Sequence, residues 1–166
     1  MSNFVPLDTV KGLVPGAVLQ NDANEAWREE AQYSNNTAVT TTTAVAEHVM
    51  WIARHKMRVI GIRYGTDVAY VGVPTNFFSI VVAVRHAAAP ATQKIIATYN
   101  ADTAGTKDLA AFAARDFYAS GDVNAAAADA DFILAIGDVI TVTVTKSGTG
   151  ATFQPSSLSV VLEQRD

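Results

Sequence analysis

A chain of 166 residues with 49% apolar and 17% charged residues is sized for one domain around one core, and it needs no covalent staple to fold. The absence of cysteine excludes a disulfide framework and a thiolate metal site, and suits a reducing compartment. A net charge of −4 argues against nucleic acid as the main partner, which requires a dense basic stripe, and no apolar run approaches the roughly 18 residues of a membrane span, so neither partner is expected.

The opening MSNFVPLDTV shows no basic stretch followed by an apolar one, so a cleavable export signal is not expected. Residues 1–36 carry no sustained periodicity and hold Pro6, Pro15, Gly12 and Gly16, which marks an N-terminal arm ahead of a body over residues 37–166. An arm cannot bury its own apolar residues, so Phe4, Val5, Leu13, Val14 and Trp27 are the candidate contacts with a body or a neighbouring subunit. Within it Asn24 to Gln32 is compatible with a short helix, capped by Asn24, with Trp27 and Ala31 one turn apart.

From Thr37 the chain turns to β character. The run from Thr37 to Arg54 is rich in Val and Thr, and without a bulge Val49 and Trp51 share a face. A turn at His55-Lys56 leads into Met57 to Tyr64, where Arg58, Ile60, Ile62 and Tyr64 alternate with Val59, Gly61 and Arg63. Short strands are expected over Val68 to Val73, Phe77 to Arg85 and Lys94 to Thr98, with Phe77 to Arg85 covered on both sides. Asp108 to Ala119 fits a helix by its alanines or a strand by Phe112, Phe117 and Tyr118, and the alanines 125–128 fit a short helix or a plain connection.

The clearest alternation follows. Gly137-Asp138 forms a turn, after which Ile140, Val142 and Val144 point one way and Val139, Thr141, Thr143 and Thr145 the other. A last strand over Ser157 to Glu163 turns Leu158, Val160 and Leu162 inward. About eight strands between Gly, Pro and Asn turns, with no helix beyond three turns, predict an all-β sandwich of the jelly-roll kind.

No motif carries catalysis. His48, His55 and His86 lie in no metal or general-base arrangement, no serine sits in a GxSxG elbow, and Ser147-Gly148-Thr149-Gly150 lacks the lysine of a phosphate loop. The oxygens of Asp122, Asn124, Asp129 and Asp131 could hold calcium, yet the segment lacks the glycine and terminal glutamate of an EF-hand loop. Catalytic, metal and cofactor sites are all therefore expected to be absent. Trp27, Trp51, Tyr64, Tyr70 and Tyr118 could stack on sugars, but burial in a core or interface is the simpler use of such rings. The charge is also uneven, with basic residues concentrated between Glu47 and Lys94 and acidic ones between Asp102 and Asp138. Either these are ordinary solvated faces, or the two regions meet across a subunit boundary.

The ending LAIGDVITVTVTKSGTGATFQPSSLSVVLEQ, together with VPLDTVKGLVPGAVL in the arm, resembles the small virion proteins of tailed bacteriophages, in particular head decoration or cement proteins with a jelly-roll fold. The resemblance implies a structural protein made in the bacterial cytoplasm. It would assemble, often as a homotrimer, on the outside of a capsid, with the major capsid protein as partner. A tail or fibre domain and a sandwich that binds glycans or a receptor are the alternatives.

Overall fold

The computed structural model describes residues 28–35, 47–148 and 156–165, which form two antiparallel sheets of a sandwich. In chain order the strands are β1 (Arg28–Asn35), β2 (His48–Ile52), β3 (Met57–Thr66), β4 (Phe78–Arg85), β5 (Gln93–Asn100), β6 (Ala114–Asp116), β7 (Ile133–Leu134), β8 (Val139–Lys146) and β9 (Ser156–Gln164). The first sheet runs β1-β9-β3-β6, with the two-residue β7 also paired to β3, and the second runs β2-β8-β4-β5. The pairings nest: β1 takes β9, β2 takes β8, β3 takes β6 and β7, and β4 takes β5. A ribbon doubled back on itself and rolled up in this way is a jelly roll, as the turn spacing predicts.

The core follows from the two-residue period. On β8, Ile140, Val142 and Val144 are at most 1% exposed, and on β9 Leu158, Val160 and Leu162 are equally buried. The two terminal alternations lie in different sheets, so they supply opposing halves of one core. Each such side chain contributes about 1.5–3 kcal/mol on burial. An aromatic group fills one end of the core: Phe78 meets Tyr70 edge-on at 4.9 Å and Tyr99 at 5.9 Å, and Tyr99 stacks on Tyr64 at 6.2 Å.

Three bulges change the expected facing, each adding one residue and so exchanging inside for outside. One falls between Val49 and Trp51, leaving Val49 62% exposed while Trp51 packs on the core. Another, between Val59 and Gly61, lets Val59 pair in face with Ile62 and Tyr64, against the uninterrupted alternation expected there. The third adds Ile96 on β5 opposite the step from Val82 to Ala83, and leaves Ile96 and Ala97 both buried.

Other expectations are corrected. Residues 28–32 of the helix-compatible stretch belong to β1, which pairs along its whole length from Arg28↔Glu163 to Asn35↔Ser156. Closing the edge of β9 outweighs a weak local helix preference. The last part of the arm therefore belongs to the sandwich, while Phe4, Val5, Leu13, Val14 and Trp27 lie outside the described residues. Val68 to Val73 is not a strand: it makes one isolated bridge, Tyr70↔Leu109, because Pro74 and the Thr75-Asn76 turn end it before a ladder forms. Asp108 to Ala119 resolves into turns around β6, and the alanines 125–128 lead into a 3-10 helix over Asp129–Phe132. Among the described residues no helix is long and apolar enough to cross a membrane.

Candidate interaction surfaces

The uneven charge distribution has a plain structural use. Arg58 bonds to Asp129, Arg63 lies 3.7 Å from Asp116, His86 Nδ1 lies 2.7 Å from Asp138, and Lys94 is 4.0 Å from Asp131. Asp122 receives both Lys107 and Arg115, and Arg115 stands 4.9 Å over the Tyr99 ring. Several residues of the basic and acidic stretches thus pair inside one chain, which accounts for much of the uneven charge without a subunit boundary. Nesting is the reason: it folds residues 102–138 back over β3, β4 and β5.

Two of these carboxylates organise turns. Asp138, 2% exposed, accepts hydrogen bonds from the backbone N–H groups of Ala87 (2.7 Å) and Ala135 (2.9 Å) besides its contact with His86. Burial pushes its pKa up, but the Ala87 N–H, His86 and the Ala135 N–H outweigh this and hold the carboxyl below its ordinary range. Asp122 ties the 101–107 loop and β6 to the edge of β5, where its own C=O accepts from Thr98 N–H.

The candidate ligands are dispersed. Asp129, Asp131 and Asp122 answer different cations, and Asn124 bonds Ile95 O and Ala126 N. The calcium cluster considered from sequence is therefore spent on internal bonds, and among the described residues no group of three or more His, Asp or Glu side chains could hold a metal. His48 sits 5.8 Å from the Tyr33 ring, and His55 lies in an exposed turn. Of the aromatic candidates, Tyr64 is buried, Tyr70 donates to Asn76 O at 2.8 Å, Trp51 is half-buried and Tyr118 is 44% exposed.

The outer faces of the two sheets differ. On the first, Arg28, Glu163, Arg58, Arg63 and Asp116 give a charged surface interleaved with Ser157 and Ser159. On the second, the rungs Ala83↔Thr141, Val81↔Thr143 and Ser79↔Thr145 carry no charge, and Ile95 and Ile52 at the flanks are 39% and 55% exposed. The one ion pair described there is a fork: Arg85 reaches Glu47 through Nε (2.7 Å) and Nη2 (2.5 Å), while Gln93 also donates to Glu47. That fork lies beside Thr141, which is 2% exposed although its strand position faces outward. Hydrogen bonding to Arg85 is the main cause that lowers the Glu47 pKa to about 2, against an opposing effect of burial. A cavity of about 260 Å³ opens at the fork between Val49, Ala87, Pro90 and Val139.

Two further features escaped sequence reasoning. Loops 67–76 and 101–113 are bound into a ledge by paired backbone bonds between Tyr70 and Leu109 (2.9 and 2.8 Å) and by Gly72 N–H to Asp108 (2.9 Å). The ledge displays Val68, Val71 and Phe112 at 48%, 61% and 85% exposure. At the other end, a groove of about 620 Å³ lies between Glu29, Met50, Trp51, Ile52 and Arg54. The sequence reading made Val68 to Val73 a short strand and left Asp108 to Ala119 open, and nothing in the sequence signals that two segments 30 to 40 residues apart would pin each other.

No protein-family model matches the chain, and no curated protein matches it in sequence. Among solved structures, one of infectious bursal disease virus Gt strain aligns with 86% of this chain and 32% of its own, at 13% identity and a TM-score of 0.29. This chain spans about a third of that one's length, and a likeness at this level carries no argument about function.

Proposed function

We propose that this chain is a structural virion protein, a cement or decoration protein that binds the outer surface of a bacteriophage capsid and stabilises it by bridging capsomers. The observation that carries the reading is the weakly charged outer face of the second sheet, where the half-buried Val81 and Thr143 lie between Ile52 and Ile95, exposed at its flanks, and the Arg85–Glu47 pair is the one ion pair described there. Long-lived assemblies bury apolar, weakly charged surface, and a sheet face of small and β-branched side chains costs little entropy to cover. The resemblance of the terminal strands and arm to phage decoration proteins points the same way. The mechanism is passive: contact is made only with the assembled shell, so binding free energy is added to the shell and not to its loose subunits.

The test mixes the purified chain with capsid shells made without it and measures co-sedimentation and shell melting temperature. Saturable binding with a raised melting temperature is expected. Val81→Glu and Thr143→Glu should lose it, while Ser159→Glu on the first sheet should bind as the parent does. A chain that leaves shells unbound, or one whose binding ignores the second sheet, overturns the reading.

A further inference from the structure

We propose that β1 is a detachable strap, and that the edge of β9 it leaves open takes the β1 strand of a second copy of this chain. β1 lies at the outside of the first sheet, and among the described residues it pairs with one strand, β9, from Arg28↔Glu163 to Asn35↔Ser156. Little else holds it. Of its described side chains only Ala31 is buried, while Tyr33 is half-buried with its ring 5.8 Å from His48. A methyl group gains little from leaving water beside the leucines and valines of β9. The ion pair from Arg28 to Glu163, at 3.5 Å, has the Arg28 side chain 67% exposed and adds little. Local preference also pulls against the strand, since the REEAQ opening favours a helix. An element with so little apolar burial at the rim of a sheet opens before the whole fold does.

Release of β1 leaves the rest of the sandwich paired. β9 stays bonded to β3 from Met57↔Gln164 to Thr66↔Ser156, and Leu158, Val160 and Leu162 keep their inward positions. What is uncovered is one row of backbone N–H and C=O groups, a template for a strand. The pairing already in place states which strand fits: Arg28 stands opposite Glu163, Ala31 turns inward opposite Val160, and the register runs through without a bulge. The same segment of a second copy reproduces each of those bonds, so exchange sacrifices no contact within the sandwich. Residues 36–47 join β1 to β2, and a stretch of that length reaches up to roughly 40 Å when extended, so β1 can cross to a neighbour while β2 stays on β8. Two copies that trade strands reciprocally close as a two-fold dimer. The tether keeps a chain's own strand at high local concentration, so exchange rises with protein concentration. It needs no shell, so its failure and that of the capsid reading are separate results.

Two measurements on the full chain test this. In amide hydrogen exchange of the parent, the β1 amides bonded to β9 should exchange at least about a hundredfold faster than the β9 amides bonded to β3, at a rate that low denaturant leaves unchanged. The second measurement uses the absence of cysteine, which lets single introduced thiols report pairing between chains. Gln32 and Ser159 are cross-strand partners on the outward face of the first sheet, so substituting them leaves the core unaltered. A Gln32→Cys chain incubated at submillimolar concentration with a Ser159→Cys chain and then oxidised should give a 32–159 heterodimer. Its yield should exceed by at least about tenfold that obtained with a Ser120→Cys chain, whose thiol sits in an exposed turn and reports chance collision. β1 amides that exchange together with those between β9 and β3, or a 32–159 yield no higher than the 32–120 yield, overturns the proposal.

Discussion

The two ends of the sandwich handle their polar groups in opposite ways. Where β4 leaves and β8 begins, the carboxylate of Asp138 collects two backbone N–H groups and an imidazole, and Ala53 exchanges backbone bonds with Asp138 and Gly137 across the same junction. At the far end the 67–76 and 101–113 loops are tied chiefly by backbone bonds, and Asp67 and Asp102 are left facing water without a cationic partner among the described residues. The difference teaches which charges belong to the fold. A carboxylate inside a turn satisfies donors that would otherwise be stranded, while one at a loop tip is free to act on something outside.

Substitutions can break this comparison, and the largest effect is expected at the junction. Asp138→Ala strips Ala87, Ala135 and His86 of their shared acceptor and should cost about 2–4 kcal/mol in urea unfolding, because three bonds to one buried carboxylate are lost together. Next comes the ledge itself. A Cβ at Gly72 would stand 2.4 Å from Thr103 O and 2.5 Å from its carbonyl carbon, so Gly72→Ala should cost about 1–3 kcal/mol in urea unfolding and loosen the ledge. If Gly72→Ala melts like the parent, the two loops are not pinned as described.

Acid tests the fork on the second sheet. Glu47 is held near pKa 2 against an ordinary 4.5, chiefly by its hydrogen bond from Arg85. A lowered folded pKa means stability that is fully present above the unfolded value and is lost as pH falls from about 4.5 toward 2. Asp138 acts in the same direction. Glu47→Gln should therefore flatten part of the acid limb of the unfolding curve, by roughly 1 kcal/mol once solvent screening is allowed for. An unchanged limb would show that Arg85 leaves the fold's stability untouched. The smallest effect is expected at the tip, where Asp67→Asn and Asp102→Asn should shift stability by less than about 0.5 kcal/mol. Should they destabilise as Asp138→Ala does, the contrast between the ends collapses.

How far the sequence carried the fold depended on where side chains alternate without interruption. β8 and β9 were legible residue by residue, since Ile140, Val142, Val144 and Leu158, Val160, Leu162 keep strict period two and all turn inward. β2 and β3 were only partly so, because a bulge leaves no trace in composition yet reverses every facing after it. β1 was misread as helix-compatible, since its REEAQ opening favours a helix locally and only the open edge of β9 makes it a strand. The surfaces were less legible still. Phe112 lies in a stretch that suits a helix by its alanines and a strand by its aromatics, and nothing in that composition tells that its ring is turned out.

The nested pairing has a consequence for how the protein comes into being. Arg28 stands opposite Glu163, and Asn35 opposite Ser156, so the first described strand waits for the last. A ribosome adding residues at its usual pace needs on the order of ten seconds to make a chain of this length, and throughout that time β1 has no permanent neighbour. The β4–β5 hairpin, whose strands are adjacent in sequence, can close during synthesis. Maturation should therefore begin at the middle of the chain and finish at its ends, with slow overall kinetics set by distant partners.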